Sequence, residues 1–270
     1  MRNNLLYATV YISLIFVLHN TASAVKINSL QVPEAIRLGF PVVLDCDYTI
    51  EEEAADGLVV KWYFNKTQVP IYQWIPTRRP QDFGILKGRL NLEYSASKDI
   101  NSVHRALHIM KPGLDLSGEY TCSVSTFNGE DVKSKKMLVY APQKNIELKQ
   151  TLIDETVQVS CIAEGVYPAP NMTLLAGNSS LVNDSVVTVQ ERGGLYNIKA
   201  SGNVSVLDAP EEFSCELHIP QANYSVRIEA VYYPQNGAAQ LKSTTVLFLW
   251  EFMLLAAYVM RLSFEGARFL

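Results

Sequence analysis

The chain has 270 residues, of which 48% are hydrophobic and 19% are charged, a balance that excludes a mostly disordered protein. At roughly 100–150 residues per domain, this length predicts two domains and excludes a large multidomain enzyme. The formal net charge of −4 at pH 7 indicates no basic face, so nucleic acid is not an expected partner. Cys and His are few, with four of each, and we expect no metal or other cofactor.

The N-terminus has the pattern of a secretory signal peptide. Arg2 precedes an apolar stretch over residues 5–18, and Ala22-Ser23-Ala24 is a small-x-small cleavage site. We therefore expect residues 1–24 to be removed, with an uncleaved anchor helix as the alternative. The mature chain would then start near Val25 in an oxidising compartment, where pairs of cysteines become disulfides.

Four residues in the first half of the chain form a framework. Cys46 lies in a short strand pattern, Trp62 follows in the strand pattern of residues 59–64, and Tyr120 stands two residues before Cys122. This order is that of the immunoglobulin β-sandwich, in which the Trp packs on the inter-sheet disulfide and the Tyr hydroxyl bonds back across a corner. The framework predicts a disulfide between Cys46 and Cys122.

The wide spacing of these two cysteines predicts a variable-type domain over residues 25–140, with added C′ and C″ strands. The segment around Arg89 resembles the start of strand D in such domains, where an Arg pairs with an Asp; here that Asp would be Asp115. Asn128-Gly129 is a hairpin-turn signal between strands F and G.

Cys161 and Cys215 stand closer together, which fits a constant-type domain over residues 141–235. Phe213 replaces the corner Tyr, and Leu174 or Leu175 takes the place of the core Trp. Another disulfide-closed sandwich is the alternative. The predicted fold is thus all-β: two tandem immunoglobulin-like β-sandwiches, after a signal peptide and before a C-terminal hydrophobic anchor segment.

The anchor segment, residues 236–270, supports two interpretations. Its apolar part, residues 246–260, is interrupted by Glu251 and is shorter than the roughly 20 residues that a spanning helix needs. The small residues from Asn236 and Gly237 onward, followed by a polar spacer, resemble a GPI-attachment signal, with one of those two as the attachment residue. Arg261 and the polar end suit a short cytoplasmic tail after a single span. Either anchor places the protein on the outer face of the plasma membrane. A secreted form is the remaining alternative.

Asn-x-Ser/Thr sequons are concentrated in the second domain, which indicates a glycan-coated spacer beneath a barer recognition domain. They occur at Asn65, Asn171, Asn178, Asn183, Asn203 and Asn223.

Alternation along the strands predicts a binding face on the first domain. Because Trp62 points into the core, Lys61 and Tyr63 must point outward. Tyr72 and Trp74 share one face of the next strand, which we expect to be the same outer face. Phe127 is expected at the tip of the F–G loop. Aromatic and basic residues on a flat sheet are typical of a protein interface; the alternative is that Tyr72 or Trp74 only packs over the sheet edge.

Residues 58–63, 71–76, 117–125 and 136–139, among them the Lys-Trp-Tyr string, resemble the beaten path family. The resemblance implies a two-domain neuronal protein, secreted or membrane-attached. It implies a role in axon guidance and synaptic partner choice through binding of Sidestep-group receptors by the first domain. It adds to the case for Tyr63, Tyr72, Trp74 and Phe127 as interface residues.

No catalytic or phosphate-binding motif occurs in the chain. His104 and His108 have a metal-ligand spacing only on a helix, whereas the sequence places them on or beside a strand. We therefore expect a non-enzymatic recognition or adhesion protein that binds another immunoglobulin-superfamily protein. A homophilic, nectin-like adhesion molecule is the nearest alternative, and a secreted carrier or a structural membrane spacer is the alternative of another class.

Overall fold

The computed structural model describes residues 24–51, 55–154, 156–177, 179–180, 186–205 and 207–234. The signal segment before Ala24, the anchor segment with Asn236 and Gly237, and the sequons at Asn178 and Asn183 lie outside the described residues. Within the described ranges, no helix is long and apolar enough to cross a membrane. The chain divides into two compact units between Ala141 and Pro142.

The first unit is built from two β-sheets. Its strands are β1 (Val25–Gln31), β2 (Ala35–Arg37), β3 (Val42–Ile50), β4 (Val59–Phe64), β5 (Tyr72–Trp74), β6 (Gln81–Asp82), β7 (Leu107–Ile109), β8 (Gly118–Thr126) and β9 (Gly129–Tyr140). One sheet has the order β1-β3-β7, and the other has the order β2-β9-β8-β4-β5-β6. The short strands β5 and β6 extend the larger sheet in the manner of C′ and C″ strands, which is the variable-type arrangement.

The core of the first unit forms around a disulfide between the two sheets. Cys46 on β3 is bonded to Cys122 on β8, closing a separation of 76 residues. On the loop-entropy account, a loop of that length stabilises the folded state by about 4–5 kcal/mol. Trp62 is fully buried and lies opposite Cys122 in the β4–β8 register. The Tyr120 hydroxyl donates a hydrogen bond of 2.8 Å to the carbonyl of Leu116, which is the bond that the framework predicts.

The region expected to form strand D contains only an isolated bridge between Leu90 and Ile109. Beside it, Arg89 Nη1 lies 2.6 Å from Asp115 Oδ2, with 39% and 46% of the two side chains exposed. An ion pair this exposed contributes no more than about 1 kcal/mol.

The second unit is also a two-sheet sandwich. Its strands are β10 (Asn145–Ile153), β11 (Thr156–Val166), β12 (Asn171–Ala176), β13 (Ser179–Ser180), β14 (Val186–Arg192), β15 (Leu195–Ser205), β16 (Glu211–Ile219) and β17 (Tyr224–Tyr232). The sheets have the orders β10-β11-β15-β14 and β13-β12-β16-β17. This is the constant-type order A-B-E-D facing C-F-G, with the two-residue strand β13 added beside β12.

In the core of the second unit, an aliphatic side chain takes the place of the usual Trp. Cys161 is bonded to Cys215, and Leu174 lies opposite Cys215, which is the register position that Trp62 occupies in the first unit. Leu174 is 1% exposed, whereas Leu175 is only half-buried. Leu174 is therefore the Trp replacement. Phe213, which replaces the corner Tyr, is fully buried.

Candidate partner-binding face

The side of the larger first-unit sheet that points away from the core is here called the outer face. The β-strand register places the following side chains on it: Val59, Lys61, Tyr63, Gln73, Thr121, Ser123, Ser125, Glu130, Val132 and Ser134. Lys61 lies between Ser123 on one neighbouring strand and Gln73 on the other, at the centre of the sheet. Tyr63 lies opposite Thr121. The outward direction predicted for Lys61 and Tyr63 agrees with this register.

The outward side chains of Thr121 and Ser123 on β8 are short and polar, and their hydroxyls are paired. The Thr121 and Ser134 hydroxyl oxygens are 2.7 Å apart, and the Ser123 hydroxyl donates to Glu130 Oε1 over 2.6 Å. Partial burial, followed by the negative charge of Glu130, raises the pKa of the Tyr63 hydroxyl. Because these groups already have partners, the face has less side-chain freedom to lose when another protein covers it.

The outward placement of Tyr72 and Trp74 is wrong. Tyr72 lies opposite Trp62, and Trp74 lies opposite Val60, so both aromatic rings point into the core, where they are 2% and 1% exposed. Gln73, the residue between them, is the one that reaches the outer face. Alternation correctly put the two aromatics on one face, but only the register with β4 determines which face that is.

Polar atoms of three buried aromatic side chains donate hydrogen bonds to an irregular segment, residues 91–106, and hold it against the core. The Tyr72 hydroxyl donates to the His104 carbonyl over 2.7 Å, and Trp62 Nε1 donates to the Arg105 carbonyl over 3.1 Å. Tyr48 contributes a third bond, of 2.6 Å, to the Asn101 carbonyl. Burial raises the pKa of the Tyr48 and Tyr72 hydroxyls above the ordinary tyrosine value. The acceptors are backbone carbonyls, which carry no sequence signal, so sequence reasoning missed this arrangement.

Arg105, which is part of this segment, also holds it in place through its charged side chain. Its Nε and Nη2 donate to Asp45 over 2.9 and 3.0 Å, and its Nη1 donates to Asp47. Burial opposes the charge on the guanidinium, but the hydrogen bonds and negative charges of Asp45 and Asp47 raise the pKa of Arg105. Two-point pairing of this kind fixes orientation as well as adding energy.

His104 has a structural role in this segment. Its Nδ1 is 2.9 Å from the Tyr94 carbonyl, and its ring stands edge-on to Trp74 at a centroid distance of 5.7 Å. Among the described residues, no group of three His, Cys, Asp or Glu side chains is placed to hold a metal ion.

Phe127 projects from the end of the outer face, where 84% of its surface is exposed. Thr126 pairs with Gly129, so the two-residue turn consists of Phe127 and Asn128, one position earlier than the Asn128-Gly129 signal predicts. The Phe127 amide donates to the Asp56 carbonyl over 3.1 Å, and the ring lies over Gly57. A Cβ added at Gly57, which has a φ of +74°, would stand 2.7 Å from the ring.

The described sequons lie on exposed residues of both units. Asn65 follows β4, Asn171 starts β12, Asn203 lies on β15, and Asn223 precedes β17 in a left-handed conformation with a φ of +47°. All four have exposed side chains, so each can carry a glycan without disturbing the core.

Two solved structures are similar in fold to this chain. Bovine butyrophilin is 15% identical, with a TM-score of 0.58 over 74% of this chain and 94% of that one. The extracellular portion of mouse CD200RLa is 18% identical, with a TM-score of 0.50 over 72% of this chain and 96% of that one. Both units have the immunoglobulin fold. No protein-family profile matches the chain, and no curated protein sequence matches it.

Proposed function

We propose that this chain is a cell-surface recognition protein whose outer face binds another immunoglobulin-superfamily protein. The observation that supports this most directly is the composition of that face. Lys61, Tyr63 and Val132 lie beside short side chains whose hydroxyls are already paired, and Phe127 is exposed at the end of β8. Tyr is among the residue types enriched in the positions that dominate binding energy at protein interfaces, and Phe is enriched at interfaces in general.

A binding role fits the described residues better than a catalytic one. Ser225 and His218 form a nucleophile-and-base contact of 2.8 Å, but both are on neighbouring strands of an open sheet face of the second unit. Two cavities among the described residues, of about 540 and 380 Å³, are lined by residues of the first unit instead. A reacting substrate would therefore have no enclosed site at that pair.

The finer form of the proposal follows the resemblance to the beaten path family. It assigns a Sidestep-group partner and a role in axon guidance or synaptic partner choice. It places the protein on the outer face of the plasma membrane through a GPI anchor or a single span. The extracellular origin of the CD200RLa structure supports the outer location. Homophilic adhesion is the alternative of the same class, and a carrier or membrane spacer is the alternative of another class.

The test is a binding screen with the full chain displayed on cells. Multimerised ectodomains of immunoglobulin-superfamily proteins are added, together with multimers of this chain's own two units. The test variants are Lys61→Ala combined with Tyr63→Ala, and Phe127→Ala. Matched controls are Lys26→Ala, an exposed lysine on the smaller sheet, and Phe40→Ala, an aromatic that is 53% exposed and lies under Arg37.

A heterophilic signal that both test variants reduce about tenfold or more, and that neither control reduces, would support the proposed face. Binding to its own multimer alone would favour homophilic adhesion. A heterophilic signal unchanged by the test variants would refute the outer face as the binding site. No binding by correctly folded material would favour the carrier or spacer.

A further inference from the structure

A groove of about 540 Å³ lies beside the end of β4 and the starts of β2 and β8, along residues 136–138 of β9. Its lining includes Glu34, Asn65, Ser117, Lys136, Met137 and Leu138. Met137 is 2% exposed and forms part of the groove floor, while Glu34 and Lys136 are exposed at its sides. An apolar floor with a few polar groups around it is the usual composition of a ligand-binding groove.

Asn65 stands at the edge of this groove in a fixed orientation. Its backbone is left-handed, with a φ of +50°, and its Oδ1 accepts a hydrogen bond of 2.9 Å from the Glu119 amide. Gly118 leaves space for that oxygen, since a Cβ there would come within 2.3 Å of it. Among the described residues, the other amide atom, Nδ2, has no hydrogen-bond partner. Nδ2 is the atom that receives a glycan in the sequon Asn65-Lys66-Thr67.

We propose that Asn65 carries an N-glycan whose first N-acetylglucosamine residues fold back into this groove. The transfer forms a bond between Nδ2 and C1 of the first sugar. It breaks the bond from C1 to the oxygen of a lipid diphosphate donor, which leaves with the electron pair, and the amide gives one proton to a base of the transferase. At this sequon, a groove lies beside the asparagine that accepts the glycan, and the side chain of that asparagine has a fixed orientation.

The chemistry of the sugar matches the lining. The acetyl methyl group and the ring C–H groups can pack on Leu138, which is half-buried, while the hydroxyls can bond to Glu34, Ser117 and Lys136. Burying this apolar surface would stabilise the first unit, because exposed apolar area costs free energy in water. On the proposed function, the glycan would cover the end of the sheet near Glu119 and leave the centre of the outer face free.

The test uses the full chain secreted or displayed by animal cells. Thr67→Ala removes the sequon but keeps Asn65, whereas Thr67→Ser keeps both the sequon and the hydroxyl that donates to the Val69 carbonyl. Thr173→Ala removes the sequon at Asn171 on an open sheet face and serves as the control site. Glycan occupancy is read by peptide mass. Release by a peptide-N-glycosidase is timed under native conditions, and hydrogen exchange is followed over residues 134–138.

We expect Asn65 to be occupied and its glycan to be released about tenfold more slowly than the glycan at Asn171, since only the unpacked fraction can react. Thr67→Ala should speed hydrogen exchange over residues 134–138, while Thr67→Ser and Thr173→Ala should not. An unoccupied Asn65 would overturn the proposal. Occupancy with equal release rates at the two sites and unchanged exchange would show a glycan that projects into solvent, and this would overturn the packed state. These outcomes are independent of whether a partner is found.

Discussion

Replacing Tyr72 with Phe tests whether β5 turns its aromatic side chains into the core. The Tyr72 hydroxyl lies 2.7 Å from the His104 carbonyl, and the residue is 2% exposed. Phe keeps the ring, so no cavity forms, but the carbonyl loses its partner inside the protein. Leaving this part-buried acceptor unpaired costs about 1–2 kcal/mol in free energy of unfolding. For a domain of this size, that loss lowers the midpoint of thermal unfolding by roughly 4–10 °C.

Tryptophan fluorescence can follow the first unit in the full chain. Trp62 and Trp74 are both buried in its core. With Trp250, the third tryptophan of the chain, replaced by Phe in every variant, guanidinium titration with this probe reports the unfolding of the first unit even if the second unit unfolds separately. Tyr72→Phe should lower the midpoint without changing the slope and should leave partner affinity unchanged. Tyr63→Phe, on the outer face, should leave stability within about 0.5 kcal/mol and weaken binding. Unchanged stability with lost binding for Tyr72→Phe would refute the register.

Three further predictions concern other parts of the fold. Gly57→Ala should displace Phe127, because the added Cβ would stand 2.7 Å from its ring; the partner's Kd, measured by surface binding, should rise about tenfold or more. Leu174→Ala should destabilise the second unit by about 2–5 kcal/mol, read by calorimetry, with the first-unit tryptophan signal unchanged. Burial raises the pKa of Tyr48 and Tyr120 above the usual value of 10.0. Unfolded tyrosines therefore lose protons more readily than these two, and the stability they contribute is complete below about pH 10 and lost as the pH rises further. Guanidinium titrations at a series of pH values, with phenolate absorbance recorded in parallel, should show this decline. A midpoint that stays constant into strong alkali would contradict it.

The sequence determined the class of fold because a few residue types have roles that others fill poorly. A disulfide between two sheets, a large indole beside it and a phenol two residues before the second cysteine together indicate an immunoglobulin sandwich. The second unit shows how far this reasoning extends. Its cysteine spacing indicated a constant-type sandwich, but the choice between Leu174 and Leu175 needed the register with Cys215.

Only part of the binding face could be predicted from the sequence. Alternation from Trp62 determined the direction of Lys61 and Tyr63 because all three are consecutive in one regular strand, where successive side chains point to opposite faces. The direction of Tyr72 and Trp74 depended on how β5 pairs with β4, and nothing within β5 records that pairing. The groove beside Asn65 likewise forms where segments that are far apart in the chain meet. The residue types and their order along one strand can be read from the sequence. Strand register and the contacts between distant segments are decided only when the tertiary structure forms.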